Sequence, residues 1–388
     1  MSSKRIEKKT PRRLAVVHWL PIEQFPPVQN FLNFFAEQEG LRVLCCSTRR
    51  IGEQHEFHNP KVSILRTKFP SQELGKFIRI VCFLYFPLIT LLKLLFFQPN
   101  VIFYLEPHSA PVVFIYSLIF PRCQIIAHYH EYREPKHLKV RGNYLAWLGN
   151  QLEKLRLFNK ASWISHTNQD RIRLFLLDYP NINAHKVHAI PNIPPRTWLT
   201  EKEKVLKPAD SKLKLVYIGA ISLHDTYLEQ LLSWFQKNQD QDVSLDLYIN
   251  NTDPATKKFL AEQDQDGLTI HLGGVPYAKL PSILPKYDIG LVLYRCNTIN
   301  YIYNAPNKLF EYLSCGLNVL YPKQMLGVLP YARTGCVPWV IGIDFEFLSE
   351  LTVPELENFN GPSKQWEETC EVAYQPLLEK ILCSAAHS

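Results

Sequence analysis

The chain has 388 residues, 46% of them hydrophobic and 20% charged, which excludes a disordered chain and leaves room for two domains of ordinary size. Lys and Arg exceed Asp and Glu by 43 to 36, a formal net charge of +7, which favours anionic partners such as nucleotides, phospholipid headgroups or polyprenyl phosphates. Basic residues are dispersed and no nucleic-acid-binding motif accompanies them, so nucleic acid is not an expected partner. The nine cysteines form no CxxC pair and no zinc spacing, which predicts free thiols in a reducing cytoplasm.

Residues 2–13, SSKRIEKKTPRR, are a basic lead without the apolar core of a signal peptide, and read as a flexible arm within reach of a membrane. Apolar runs then predict strands at 14–19, 42–46, 62–65, 101–104, 123–128, 163–166 and 186–190, with helices at 28–38, 110–119 and 170–177. Residues 77–97 are almost wholly apolar, with Arg79 and Lys93 near the ends and Pro87 inside. By length they can span a bilayer; the flanking strands equally allow a helix lying in an anionic membrane interface, or a plain core helix. Residues 196–212, rich in Pro, Lys and Glu, read as a linker. Alternation then restarts, with strands at 213–218, 244–249, 268–272, 289–294 and 317–320, and helices at 227–235, 254–263, 278–285 and 306–315. Two halves of this kind predict two doubly wound parallel sheets with right-handed crossovers. The expected layout is residues 1–195, a linker at 196–212, residues 213–362, and a tail at 363–388 carrying an amphipathic helix.

The segment from Asn300 to Tyr321 carries the functional argument. Pro306 suits the first turn of a helix, because its missing N–H has no partner there. Gly316 suits the position just past the helix end. The free amides of Asn307 and Lys308, with the Lys308 ammonium, form a place for a diphosphate. Glu311, three residues on and on the same face, can accept hydrogen bonds from two adjacent ribose hydroxyls. The competing reading of Lys308 and Glu311 is a solvated surface pair.

The block N-Y-x-x-x-x-P-N-K-L-F-E-Y-x-x-x-G-L-x-V, from Asn300 to Val319, resembles the donor-site signature of retaining GT-B glycosyltransferases, closest to family 4 in its polysaccharide-building branch. Leu215 to Ile221 resembles the first strand and turn of that donor domain, Ile270 to Tyr277 and Leu280 to Leu291 its base-binding region, and His188 to Asn192 the end of the first domain. The resemblance is good over most of 185–325 and loose before it. It implies two Rossmann-like domains facing across a cleft, with the last helix crossing back onto the first. It implies a cytoplasmic enzyme, peripheral at the inner membrane face, that moves a sugar from a UDP-sugar to a hydroxyl of a saccharide or polyprenyl-linked saccharide. Anomeric configuration is retained and no metal or other cofactor is expected.

By the same resemblance Glu311 binds the ribose, Lys308 and Asn307 hold the diphosphate beside Pro306, Gly219 and Ala220 let the backbone approach the phosphates, and Val275, Pro276 and Tyr277 line the base pocket. The family's second acidic donor contact, eight residues before Glu311, is Tyr303 here. Its Arg and Lys after the Gly219 strand are replaced by Ser222, His224 and Asp225, so His224 and Arg295 become candidates for phosphate contact. In the first domain, Ala127-His128-Tyr129-His130-Glu131 nominates His130 as a donor-sugar contact and Glu131 as an orienting or acceptor-side group, against the plainer reading of strand-end loop residues. The Asp-Gln-Asp triplets at 240–242 and 264–266 read as solvated turns, not metal ligands. Alternatives are a non-catalytic nucleotide-binding protein and a nucleotide-sugar epimerase of the same fold.

Overall fold

The computed structural model describes residues 11–50, 56–70, 75–139, 144–199, 212–357 and 361–383. The chain divides into two compact units, Met1–Pro191 with Glu371–Ser388, and Asn192–Cys370.

The first unit runs β1 (Arg12–His18), α1 (Pro26–Ala36), β2 (Leu41–Arg49), β3 (Val62–Lys68), α2 (Lys76–Phe97), β4 (Val101–Leu105), α3 (Ala110–Ile119), β5 (Gln124–Tyr129), α4 (Tyr144–Leu152), a π-helical turn Glu153–Leu157, β6 (Trp163–His166), α5 (Gln169–Asp178) and β7 (Val187–Ala189). The seven strands form one parallel sheet in the order β3-β2-β1-β4-β5-β6-β7. Leu14, Ala15, Val16 and Val17 are all fully buried, as a parallel strand covered on both faces requires. Where the order reverses, between β1 and β4, the chains leaving the strand ends diverge and open the crevice typical of such sheets.

Helix α2 is the connection between β3 and β4. It buries one stripe, Cys82, Phe86, Thr90 and Leu94, and Phe86 meets Trp19 edge-on with ring centroids 4.9 Å apart. The helix is long and apolar enough to cross a membrane. Crossing would place β3 and β4 on opposite sides of a bilayer, yet they lie in one sheet, so the spanning reading is overturned.

The second unit contains β8 (Leu213–Ile221), α6 (Leu228–Lys237), β9 (Val243–Thr252), α7 (Pro254–Ala261), β10 (Leu268–Leu272), β11 (Ile289–Leu291), α8 (Asn307–Ser314), β12 (Asn318–Pro322) and β13 (Val340–Ile343), joined by loops and shorter turns. Its six strands are parallel in the order β10-β9-β8-β11-β12-β13, with the reversal between β8 and β11. Asp253 caps α7, its side chain accepting the Thr256 N–H at 3.0 Å. The triplet carboxylates Asp240, Asp242, Asp264 and Asp266 are exposed in turns.

Two expectations need correction. Ile193 and Trp198 are buried in the second unit's core, so the linker does not begin at 196; a proline-rich run has no periodicity to announce its buried residues. Residues 200–211 of that linker, like residues 1–10 of the basic arm, lie outside the described residues. The final helix, α9 (Cys370–Cys383), starts later than expected. Trp366 before it packs near Phe310 of the second unit, whereas Tyr374 within it stacks on Phe31 of the first at 4.1 Å.

Candidate functional site

Strands β8 and β11 pair only at Ile289 with Leu215 and Gly290 with Val216. Beyond that β8 continues to Ile221 through a bulge at Gly219/Ala220, and the two strands separate at the point of reversal. Helix α8 plugs the gap from its middle. The Tyr312 hydroxyl accepts the Ile218 N–H at 3.1 Å and donates to the Leu291 carbonyl at 3.2 Å, replacing the missing ladder bonds. Gly290 admits the ring: a Cβ there would lie 2.3 Å from Tyr312.

Pro306 is the N-cap of α8, at φ −72° and ψ 153°, and not its first helical residue. The helix starts at Asn307, whose Oδ1 accepts from Asn192 Nδ2 at 2.8 Å. Leu309, Phe310 and Leu313 fill the core beneath, and Gly316, at φ +74°, turns the chain into β12.

Lys308 and Glu311 are both buried, with exposures of 5% and 6%, which overturns the surface-pair reading. Lys308 Nζ lies 4.0 Å from the centre of the Tyr217 ring and 4.5 Å from that of Tyr294, and has no hydrogen-bond partner among the described residues. Burial pulls its pKa down to about 7, against the opposing attraction of Glu311. Burial pushes Glu311 up to about 7, against the opposing attraction of Lys308. A buried amine beside the free amides of a helix N-terminus is an arrangement whose electrostatics favour an anion.

Gly219 stands at φ +126°, and a Cβ on it would come within 3.0 Å of Lys308 Nζ. The glycine therefore makes room for the lysine, a role the sequence did not suggest. Ala220 is exposed, and its carbonyl accepts the Tyr217 hydroxyl. Val275 and Tyr277 pack on the same apolar cluster as Leu309 and Phe310; Tyr277 lies against Trp198 at 4.6 Å, and Pro276 between them is half-buried. Two candidates are not drawn into this group. Arg295 commits its guanidinium to the Thr226 carbonyl, Gln230 and Glu346, over the Tyr227 ring. The His224 side chain is 85% exposed and faces Asp225 at 2.8 Å. Tyr303 is half-buried, just past the short helix Ile299–Ile302.

The first unit has a polar centre of its own at the ends of β1, β4, β5 and β6. His130 is buried just after β5, whereas Glu131 is exposed and paired with Arg133 at 3.1 Å. Ring centroids place His130 4.7 Å from His128 and 6.3 Å from His18. The His130 N–H donates to Glu106 Oε1 at 2.8 Å, and its carbonyl accepts from Arg171, which also donates to Thr167 Oγ1 at 2.7 Å. Burial holds His18 and His128 well below the usual imidazole range, so both are neutral. Glu106 is buried at φ +63°, a conformation costly for any residue but glycine, and burial raises its pKa to about 7. A cavity of about 30 Å³, water-sized, is lined by Glu106, Tyr129, Arg133, Glu153 and His166. Sequence reasoning missed His18, Glu106, His166 and Arg171. The first three each directly follow or end an apolar strand, in V-V-H-W, Y-L-E-P and I-S-H-T, and that placement was the available signal. Among the described residues no group of three or more His, Cys, Asp or Glu is arranged to hold a metal ion.

No protein-family model and no curated protein matches the chain. Solved structures do. The chain is similar to the lipopolysaccharide outer core galactosyltransferase WaaB in its apo form, with a TM-score of 0.58 and 10% identity over 95% of this chain and 100% of that one. It is similar to Anabaena Alr3699/HepE in complex with UDP and glucose, with a TM-score of 0.58 and 10% identity over 95% of each chain. It is similar to the UDP-GlcNAc 2-epimerase from Neisseria meningitidis bound to UDP-GlcNAc, with a TM-score of 0.58 and 12% identity over 95% of this chain and 99% of that one. With sheets of seven and six parallel strands, the chain has the GT-B fold.

Proposed function

We propose that the protein is a glycosyltransferase of the family 4 type. It moves a sugar, with retention, from a UDP-sugar to a hydroxyl of a saccharide or lipid-linked saccharide in cell-surface polysaccharide biosynthesis. One observation carries the reading: the buried Lys308 ammonium, without a hydrogen-bond partner among the described residues, at the N-terminus of α8 with Glu311 one turn on.

The donor diphosphate lies at the amides of Asn307 and Lys308, and Lys308 Nζ neutralises the leaving diphosphate as the glycosidic bond breaks. Glu311, ionised beside the charged lysine, accepts the ribose hydroxyls. Val275, Pro276 and Tyr277 face the base. In the first unit, the neutral imidazole of His18 and the side chain of His130 serve as hydrogen-bonding groups for sugar hydroxyls. No metal is assigned a role. Nine free cysteines, six of them buried, fit a reducing cytoplasm.

The similarity to an epimerase at the same TM-score gives a second reading specific content: conversion of the nucleotide-sugar alone. Thermal shift with UDP, GDP, ADP and CMP tests the donor site first. UDP at a hundredfold excess over Kd adds about 2.7 kcal/mol to the wild type and nothing to Glu311→Ala, which keeps the wild-type fold. If no nucleotide stabilises the wild type, the proposal fails. Product NMR with and without saccharide acceptor then separates transfer from epimerisation.

A further inference from the structure

The three helical segments α2, α3 and α4, with the π-helical turn after α4, pack side by side on the first unit. Their outer surface is unusual in two independent ways. The first is apolar exposure: Phe77 is 79% exposed, Leu84 68% and Phe96 86% on α2, while Leu118 and Ile119 extend the patch along α3. Such a surface exceeds what a water-facing helix layer carries. The second is charge. From residue 75 to 130 the chain has a single acid, Glu106, and from 144 to 160 a single one, Glu153, and both are buried, with exposures of 2% and 0%. The same stretches carry Lys93, Arg122 and Lys154, all exposed. Arg156 reaches back to Ser117 on α3, and Lys160 to the carbonyl of Pro121. Beside these two cations lies an open recess of about 450 Å³.

We propose that this face docks, lying flat, on an anionic phospholipid bilayer, with the exposed side chains of α2 and α3 in the headgroup boundary and lipid phosphates at the basic rim. A second copy of the chain is a poorer occupant, because among the described residues of these segments the cations meet no exposed acid. An anionic surface satisfies both features at once. The inference stands apart from the donor site, since docking needs neither nucleotide nor turnover.

Sedimentation of the full chain with vesicles tests it. Wild type should pellet with phosphatidylglycerol–phosphatidylcholine vesicles, far less with phosphatidylcholine alone, and less at high salt. Lys93→Glu/Lys154→Glu, wholly on the surface, should lower the partition coefficient by roughly fivefold or more per charge. Leu84→Asp/Phe96→Asp should abolish pelleting; if that variant loses thermal stability, the lysine pair alone carries the test. Equal partition into both vesicle types overturns the proposal, as does lysine-pair binding equal to wild type. So does a dimer in light scattering that Leu84→Asp dissociates, or retention in the membrane after alkaline extraction.

Discussion

Replacing Lys308 with methionine keeps the length of the side chain and its packing between Tyr217 and Tyr294 while removing its charge. Folding lowers the pKa of this lysine from 10.5 to about 7. Each unit is worth about 1.4 kcal/mol, so the charged form is disfavoured in the native state by up to roughly 5 kcal/mol. Because the unfolded chain holds the proton more tightly, this cost is complete below pH 7 and disappears as pH rises from 7 to 10.5. Glu311 works in the other direction: its raised pKa costs nothing below pH 4.5 and its full amount above about 7. Relaxation and the lost attraction to Glu311 offset part of the lysine term, leaving an expected gain of ~1–3 kcal/mol for the ligand-free variant at neutral pH. In thermal unfolding this is a rise of about 2–4 °C per kcal/mol, and the wild type's gain in stability from pH 7 towards 10 should be weaker in the variant. Calorimetric titration with UDP should show the opposite sign, an affinity lower by 2–4 kcal/mol, or roughly 30- to 1000-fold. A ligand-free variant that melts several degrees lower but binds UDP as the wild type does would make Lys308 a packing residue, and the argument from its missing partner would be refuted.

Gly219→Ala should cost ~1–3 kcal/mol in urea unfolding, because the residue stands at φ +126° and its new methyl crowds Lys308 Nζ. UDP affinity should fall with it, and an unchanged Kd would mean the glycine serves the turn alone. Glu106→Gln keeps an acceptor for the His130 N–H but removes a carboxyl whose pKa is raised to about 7. Wild-type stability should carry a decline from pH 4.5 to 7 that the glutamine variant lacks, measurable as the difference between urea midpoints across that range. Identical pH profiles would show that Glu106 does not hold its proton more tightly in the folded chain.

Much of the fold was legible because parallel strands buried on both faces read as unbroken apolar runs. Residues 163–166 and 268–272 were placed to the residue, as was helix 110–119. The strand Val340–Ile343 was not seen: it is four residues long and sits in a stretch of prolines and glycines with no period. Helix α4 was missed because its apolar and polar residues alternate too loosely to define a face before the π-helical turn shifts the register. In the site, Lys308 and Glu311 were marked by their place between Pro306 and Gly316. Their burial was not readable, since the rings that meet Lys308 come from elsewhere in the chain, Tyr217 from β8 and Tyr294 from the segment after β11. Arg295 was a fair candidate because the strand was expected to reach 294, but β11 ends at Leu291, and from the following loop its side chain goes to Gln230 and Glu346.

The hydroxyl of Tyr312, bridging Ile218 and Leu291, has a consequence for how this protein can change. It bolts α8 to the sheet at one point, one residue from Glu311 and four from Lys308. The groups proposed for phosphate and ribose are thus tied to the two central strands of the second unit's sheet. The segments around Val275 and Tyr303 are half-buried loop and turn residues. Substitutions there leave the anchor in place. Under the proposed function, an engineer, or evolution, can therefore vary which base or sugar is read without moving the residues proposed to hold the diphosphate. Changing Tyr312 itself, or Gly290 beneath it, would disturb both together.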